Sequence, residues 1–97
     1  MAAYAIVDLE VLDTESIKEY QQQVPTTLKS YGGRYLVRGG AYETIEGQWQ
    51  PSRIVVLEFP DMKAAKAWYA SAEYQKILPI RLRYSKTKFL TLVHGVV

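Results

Sequence analysis

Arginine, carboxylate and phenol are the groups with which this chain can do chemistry, because other reactive types are nearly missing. Cysteine is absent and histidine occurs once, at His94. Thiol nucleophiles, thiolate metal sites and iron–sulfur ligation therefore fall away, and a dedicated zinc site lacks its ligands. No Ser-His-Asp or Ser-Lys set can be assembled with any specificity. Arg38 ends a short strand beside Gly39-Gly40, glycines that allow a close approach to the backbone. Its planar fork either clamps a carboxylate or enolate, or forms an ion pair with Glu58 or Asp8 that braces a dimer. Glu58 interrupts the apolar run Ile54 to Phe59, and Asp8 interrupts the first strand. A carboxylate in such a place costs free energy unless paired, so each either meets an arginine or is a functional group of raised pKa.

Tyr20, Trp68, Ser71 and Tyr74 lie on helical segments. Aromatics at helical spacing fill a core, but a buried tyrosine hydroxyl needs a partner. With Arg81 at its mouth, this group predicts a pocket between sheet and helices, with apolar walls and a few converging polar groups. His94 is a general base if it stands beside a carboxylate in a cavity, and a solvated strand-end residue otherwise. The candidate catalytic residues are thus Arg38, Glu58 and His94. The candidate ligand-binding set is Asp8, Tyr20, Arg38, Glu58, Trp68, Ser71, Tyr74 and Arg81. No metal and no bound cofactor is expected.

Hydropathy patterning supplies the elements that position these residues. The first strand reads Tyr4 to Val11, with Ala5, Val7, Leu9 and Val11 on one face and Tyr4, Ile6, Asp8 and Glu10 on the other. Asp13 or Thr14 caps a helix whose apolar stripe is Ile17, Tyr20, Val24, Leu28 and Tyr31. Pro25 predicts a kink or break in it, and Gly32-Gly33 ends it. Arg34 to Arg38 is a short strand, after which Ala41 to Ile45 can continue the pairing. Arg53 to Phe59 is the third strand. Pro60-Asp61 stops it and caps a second helix with Met62, Ala65, Trp68, Tyr69 and Ala72 as its buried stripe. Ser71 caps a further helical piece, Glu73 to about Leu78, which Pro79 disturbs. Thr87 to Val93 is the last strand. The order β-α-β-β-α-β is the ferredoxin-like, α+β arrangement: a four-stranded antiparallel sheet with both helices on one face.

The 97 residues, 48% of them hydrophobic, suit one domain spanning residues 1–97. No apolar run approaches the ~20 residues of a membrane span, and Asp8 and Glu10 inside the opening apolar stretch argue against a signal peptide. A cytoplasmic protein is expected. The net charge is +2, with the basic excess in Lys76, Arg81, Arg83, Lys86 and Lys88. Those five charges form a solvated rim or a lip that attracts a small anion, too narrow a face for nucleic acid. RNA-recognition domains share the element order, but the third strand, Arg53-Ile54-Val55-Val56-Leu57-Glu58-Phe59, lacks their glycine and aromatic signature.

The third strand is apolar on both faces: Val55, Leu57 and Phe59 against Ile54 and Val56. The fourth repeats this with Leu90 and Leu92 against Phe89 and Val93. Two helices cover one face only. The other predicts a homodimer through the sheet.

The segments Gly32-Gly33-Arg34-Tyr35-Leu36-Val37-Arg38-Gly39-Gly40, Glu46-Gly47, Arg53 through Glu58-Phe59-Pro60, and Ala67-Trp68-Tyr69-Ala70-Ser71 with Glu73-Tyr74-Gln75 occur in that order. Together they resemble the small bacterial family called domain of unknown function thirteen-thirty, from the first strand to Gly95. The resemblance implies the dimeric α/β-barrel group, in which two ferredoxin-like sheets face each other. Its wider relatives include cofactor-free quinone-forming monooxygenases, muconolactone-isomerase-like enzymes and haem-binding proteins. It therefore implies a fold and a dimer but no settled reaction. Two positions depart from the family pattern: Ala72 stands where proline is usual, and His94 where glutamate is common. The second puts a family role for His94 in doubt.

Two functional readings follow. In one, a dimeric protein binds or transforms a small hydrophobic, aromatic or keto-acid-like compound, as a cofactor-independent oxygenase- or isomerase-like enzyme if it is an enzyme. In the other, the chain is a structural or regulatory homodimer without chemistry, its polar residues being bridges.

Overall fold

A computed structural model of the chain, described here for residues 1–96, follows the order β1 (Ala3–Val11), α1 (Lys18–Lys29), β2 (Arg34–Arg38), β3 (Ile54–Phe59), α2 (Met62–Ala70), α3 (Ala72–Tyr84) and β4 (Ser85–His94). The four strands form one antiparallel sheet in the order β2-β3-β1-β4. This is the ferredoxin-like fold.

The alternation read from β1 holds. Ala3, Ala5, Val7 and Leu9 are buried under the helices, level with Phe59, Leu57 and Val55 of β3. Val24 and Leu28 of α1, Ala65 and Trp68 of α2, and Tyr74, Ile77 and Leu78 of α3 close over them to make the core. The Trp68 ring lies 5.4 Å from Phe59 and 4.1 Å from Tyr74, centroid to centroid. Its indole N–H donates to the Thr27 hydroxyl at 3.0 Å, so the largest buried ring leaves no polar atom unmatched.

The opposite sheet face carries Ile6, Ile54, Val56, Phe89 and Val93, in register across β3, β1 and β4. Phe89 and Val93 are 37% and 42% exposed, so large apolar groups stand in the open there. Only the end of this face near Asp8 is covered, by the segment joining β2 to β3.

Several local expectations change. Neither proline breaks its helix: α1 runs through Pro25 and α3 through Pro79. Their neighbours supply enough packing to offset the lost backbone bond. Asp13 accepts from the amides of Glu15 and Ser16 at 3.2 and 3.0 Å, but regular helix begins later, at Lys18. Asp61 and Ser71 do cap α2 and α3, accepting from Ala64 N and Tyr74 N. Ala41 to Ile45 makes no strand. Residues 39–53 instead form a loop held by its own side chains: Tyr42 Oη donates to Pro51 O and Thr44 Oγ1 to Trp49 O, each at 2.9 Å.

Candidate functional site

A small cavity lies between the covered face of the sheet and the helices. Val7, Leu9, Val55 and Leu57 form its floor, and Ile17, Val24 and Trp68 its apolar roof. Its polar lining is Tyr20 and Gln21 from α1, Tyr35 and Arg38 from β2, Arg53 just before β3, and Tyr74 and Arg81 from α3. The free space is about 40 Å³, enough for a few waters or the head of a small ligand, at roughly 10–15 Å³ per water centre. The lining contains three arginines and three tyrosines but no carboxylate and no histidine.

Helical spacing aims the innermost groups. Tyr74 and Arg81 lie two turns apart on α3, so both face α1. There Tyr20 meets Tyr74, hydroxyl to hydroxyl, at 2.7 Å, and Arg81 Nη1 donates to Tyr74 Oη at 3.2 Å. Arg81 is 4% exposed, and among the described residues no acidic side chain pairs with it. Its Nε–H has no hydrogen-bond partner. An isolated buried guanidinium is costly and cannot escape by losing its proton. The phenols do not neutralise it either. Burial pushes the Tyr74 pKa up despite the opposing pull of Arg81, and burial together with Tyr74 pushes Tyr20 up as well. Tyr35 is likewise raised, chiefly by burial, to about 12.

Tyr74 accepts from Arg81, and one proton serves the contact between the two hydroxyls. The Arg81 Nε–H remains without an acceptor. The cluster is a set of donors around a positive charge.

At the mouth, Arg38 lies over the Tyr35 ring at 4.5 Å and donates from Nη2 to Gln21 O at 2.9 Å. It pairs with neither Glu58 nor Asp8. The cause is a register shift in β2 between Tyr35 and Val37, which places Arg38 opposite Val55 on the covered face. Arg53 lines the same cavity, a residue the sequence reading did not single out; its only signal there was its position at the start of β3.

The other expected site residues lie elsewhere. Glu58 is on the open face, bonded to Arg34 Nε at 2.7 Å and to Tyr4 Oη at 3.2 Å. Asp8 is on that face too, 1% exposed, accepting from Trp49 Nε1 at 3.1 Å and from the amides of Ser52 and Arg53 at 3.0 and 3.4 Å. Burial alone would raise its pKa. The Ser52 amide, the Trp49 indole, the Arg53 amide and the charge of Lys88 outweigh that and hold it below the usual 3.8. Each carboxylate is met by donors of its own chain. Ser71 is spent on the helix junction, donating to Trp68 O at 2.7 Å and accepting from Tyr74 N. His94 is exposed at the end of β4 and does not line the cavity. Tyr20, Arg38, Trp68, Tyr74 and Arg81 are brought together; Asp8, Glu58, Ser71 and His94 are not. Among the described residues there is no group of three or more metal-ligating side chains, and no helix is long and apolar enough to cross a membrane.

Comparison with known proteins agrees with this architecture. A model of the family described as domain of unknown function (DUF1330) matches residues 2–96. No curated protein matches the sequence. A protein of unknown function from Rhodopseudomonas palustris superposes with a TM-score of 0.76 at 11% identity, over 99% of this chain and 83% of that one. A dimeric ferredoxin-like protein of unknown function from Jannaschia gives 0.71 at 15% identity, over 98% and 100%. A Nitrosomonas europaea protein provisionally described as an antibiotic biosynthesis monooxygenase gives 0.53 at 13% identity, over the full length of both chains. At such identities the likeness is one of fold.

Proposed function

The chain belongs to the DUF1330 family, and from that premise we propose that it binds a small organic anion, a carboxylate or keto acid with an apolar body, in the cavity between sheet and helices. One observation carries this reading: Arg81 is buried, unpaired by any acid among the described residues, and keeps an unused N–H donor beside the Tyr20–Tyr74 hydroxyl pair. An anionic oxygen would satisfy that donor and the charge, while Trp68, Val24 and Leu57 surround an apolar body. For a keto acid the same donors would stabilise negative charge on an enolate oxygen, the electrostatic half of an isomerase- or oxygenase-like reaction. The cavity lining offers no carboxylate or histidine to remove a proton, so turnover would need the ligand or a partner to supply that base.

The test is a titration with short carboxylates and keto acids, followed by calorimetry and thermal shift, on the natural chain and on Arg81→Met. Binding lost in the variant supports the reading. A chain that binds none of them leaves the structural homodimer as the better account.

We also infer a homodimer formed sheet to sheet. Ile6, Ile54, Val56, Phe89 and Val93 make an apolar face that the three helices, all on the other side of the sheet, do not cover, and a structure of the same fold is described as dimeric. Val56→Glu should give a monomer in sedimentation equilibrium, and an unchanged mass would refute this arrangement.

A further inference from the structure

The mouth of the cavity holds two more guanidinium groups, and each is seated by something other than a carboxylate. Pro25 has no amide hydrogen, so the carbonyl four residues back, Gln21 O, has no helical donor from that position. That carbonyl accepts from Arg38 Nη2 at 2.9 Å. A proline inside a helix, otherwise a cost, thus provides the acceptor that fixes Arg38 against the Tyr35 ring. Arg53 is held differently. Gly39 has a positive φ of 68°, and a Cβ there would collide with the Arg53 guanidinium. The bare glycine backbone is the surface on which Arg53 rests. Neither arginine is in an ion pair among the described residues.

We infer that Arg38 and Arg53 form a second anion subsite, and that the ligand is a dicarboxylate, with one carboxylate at Arg81 and the other at the mouth. This rests on the reading of the cavity as an anion site. Three guanidinium groups line the cavity, Arg81 buried, Arg53 half-buried and Arg38 exposed, and most of the other lining is apolar. A ligand matching that pattern is an acid at each end with a short hydrocarbon link. A monoacid would satisfy Arg81 and leave the mouth pair facing solvent. Because the mouth groups are positioned beforehand, little side-chain entropy is lost when the second carboxylate arrives.

The experiment compares straight-chain diacids, malonate through adipate, with the monocarboxylates of equal chain length, by calorimetry on the full chain. At least one diacid should bind about tenfold more tightly than its monoacid, the size of one charge-assisted pair. Arg38→Gln and Arg53→Gln should each weaken the diacids more than the monoacids, and so reduce that preference. Pro25→Ala, which restores an amide donor for Gln21 O and alters no cavity wall, should reduce it several-fold through Arg38 alone. Diacids no tighter than monoacids overturn the inference while leaving the anion site intact. So does an equal loss for both series in the arginine variants, which would make the mouth a general attractive field. Binding of inorganic phosphate as tight as the best diacid also overturns it. Failure of every carboxylate on the natural chain overturns the underlying reading as well.

Discussion

The two faces of the one sheet treat charge in opposite ways. On the open face the carboxylates are fully used: Asp8 accepts three hydrogen bonds, and Glu58 meets both Arg34 and Tyr4. On the covered face the buried charge is left wanting, with Arg81 paired to a neutral hydroxyl and holding a spare donor. A polar group whose partners lie within its own chain is accounted for by stability alone. One without such partners lowers stability and points to something outside the chain. Asp8 and Glu58 are therefore accounted for within the fold, and Arg81 is the group on which the proposed anion site rests.

This contrast can be broken by substitution. Asp8→Ala removes the acceptor that ties the Trp49 indole and two backbone amides of the β2–β3 loop to the sheet, and should lower unfolding free energy by about 2 kcal/mol in urea melts. Arg81→Met removes the unsatisfied charge at similar volume, and should leave stability unchanged or raise it by about 1 kcal/mol. Equal losses from the two substitutions would erase the distinction between the faces.

A pH profile separates the faces without mutation. The folded-state pKa of Asp8 lies below 3.8, so its stabilisation is complete above about pH 5 and is lost as the pH falls through the folded value. Asp13 is held down as well, mainly by the amide and hydroxyl of Ser16, and adds to the acid limb. Tyr20, Tyr35 and Tyr74 are raised from 10.0, Tyr35 to about 12. Their contribution is complete below pH 10 and fades as the pH rises through the folded values. Phenolate absorbance should therefore show a late-titrating class that becomes ordinary on unfolding, and Asp8→Ala should flatten the acid limb only. The smallest effect is expected from Glu58→Gln. Its partner Arg34 is 69% exposed at the side chain, so the loss should be within about 1 kcal/mol, and carboxylate binding should not change.

Much of the fold was legible because it rests on local regularities. The two-residue alternation of β1 and the apolar stripe of α1 lead directly to the observed core. The helical part of the site was legible for the same reason: Tyr20, Trp68, Tyr74 and Arg81 follow from helical spacing once α1, α2 and α3 lie on one side of the sheet. A break at either proline does not occur, because a helix break depends on what surrounds the helix. The partners of Glu58 were not legible, since the strand alternation gives its face but not what meets it there. Arg53 carried no mark beyond its place at the start of the third strand.

By itself the sequence determined the order of elements, the apolar surplus on both sides of β3 and β4, and a chemistry limited to arginine, carboxylate and phenol. Only the tertiary structure decided which side each charge faces. Simple alternation from Arg34 puts Arg38 on the open face with Glu58. The register shift between Tyr35 and Val37 reverses it and sends Arg38 to the cavity. A single extra residue in a strand exchanges the two faces of everything after it. Where that residue is accommodated depends on the pairing with β3, and so on the folded sheet rather than on β2 alone.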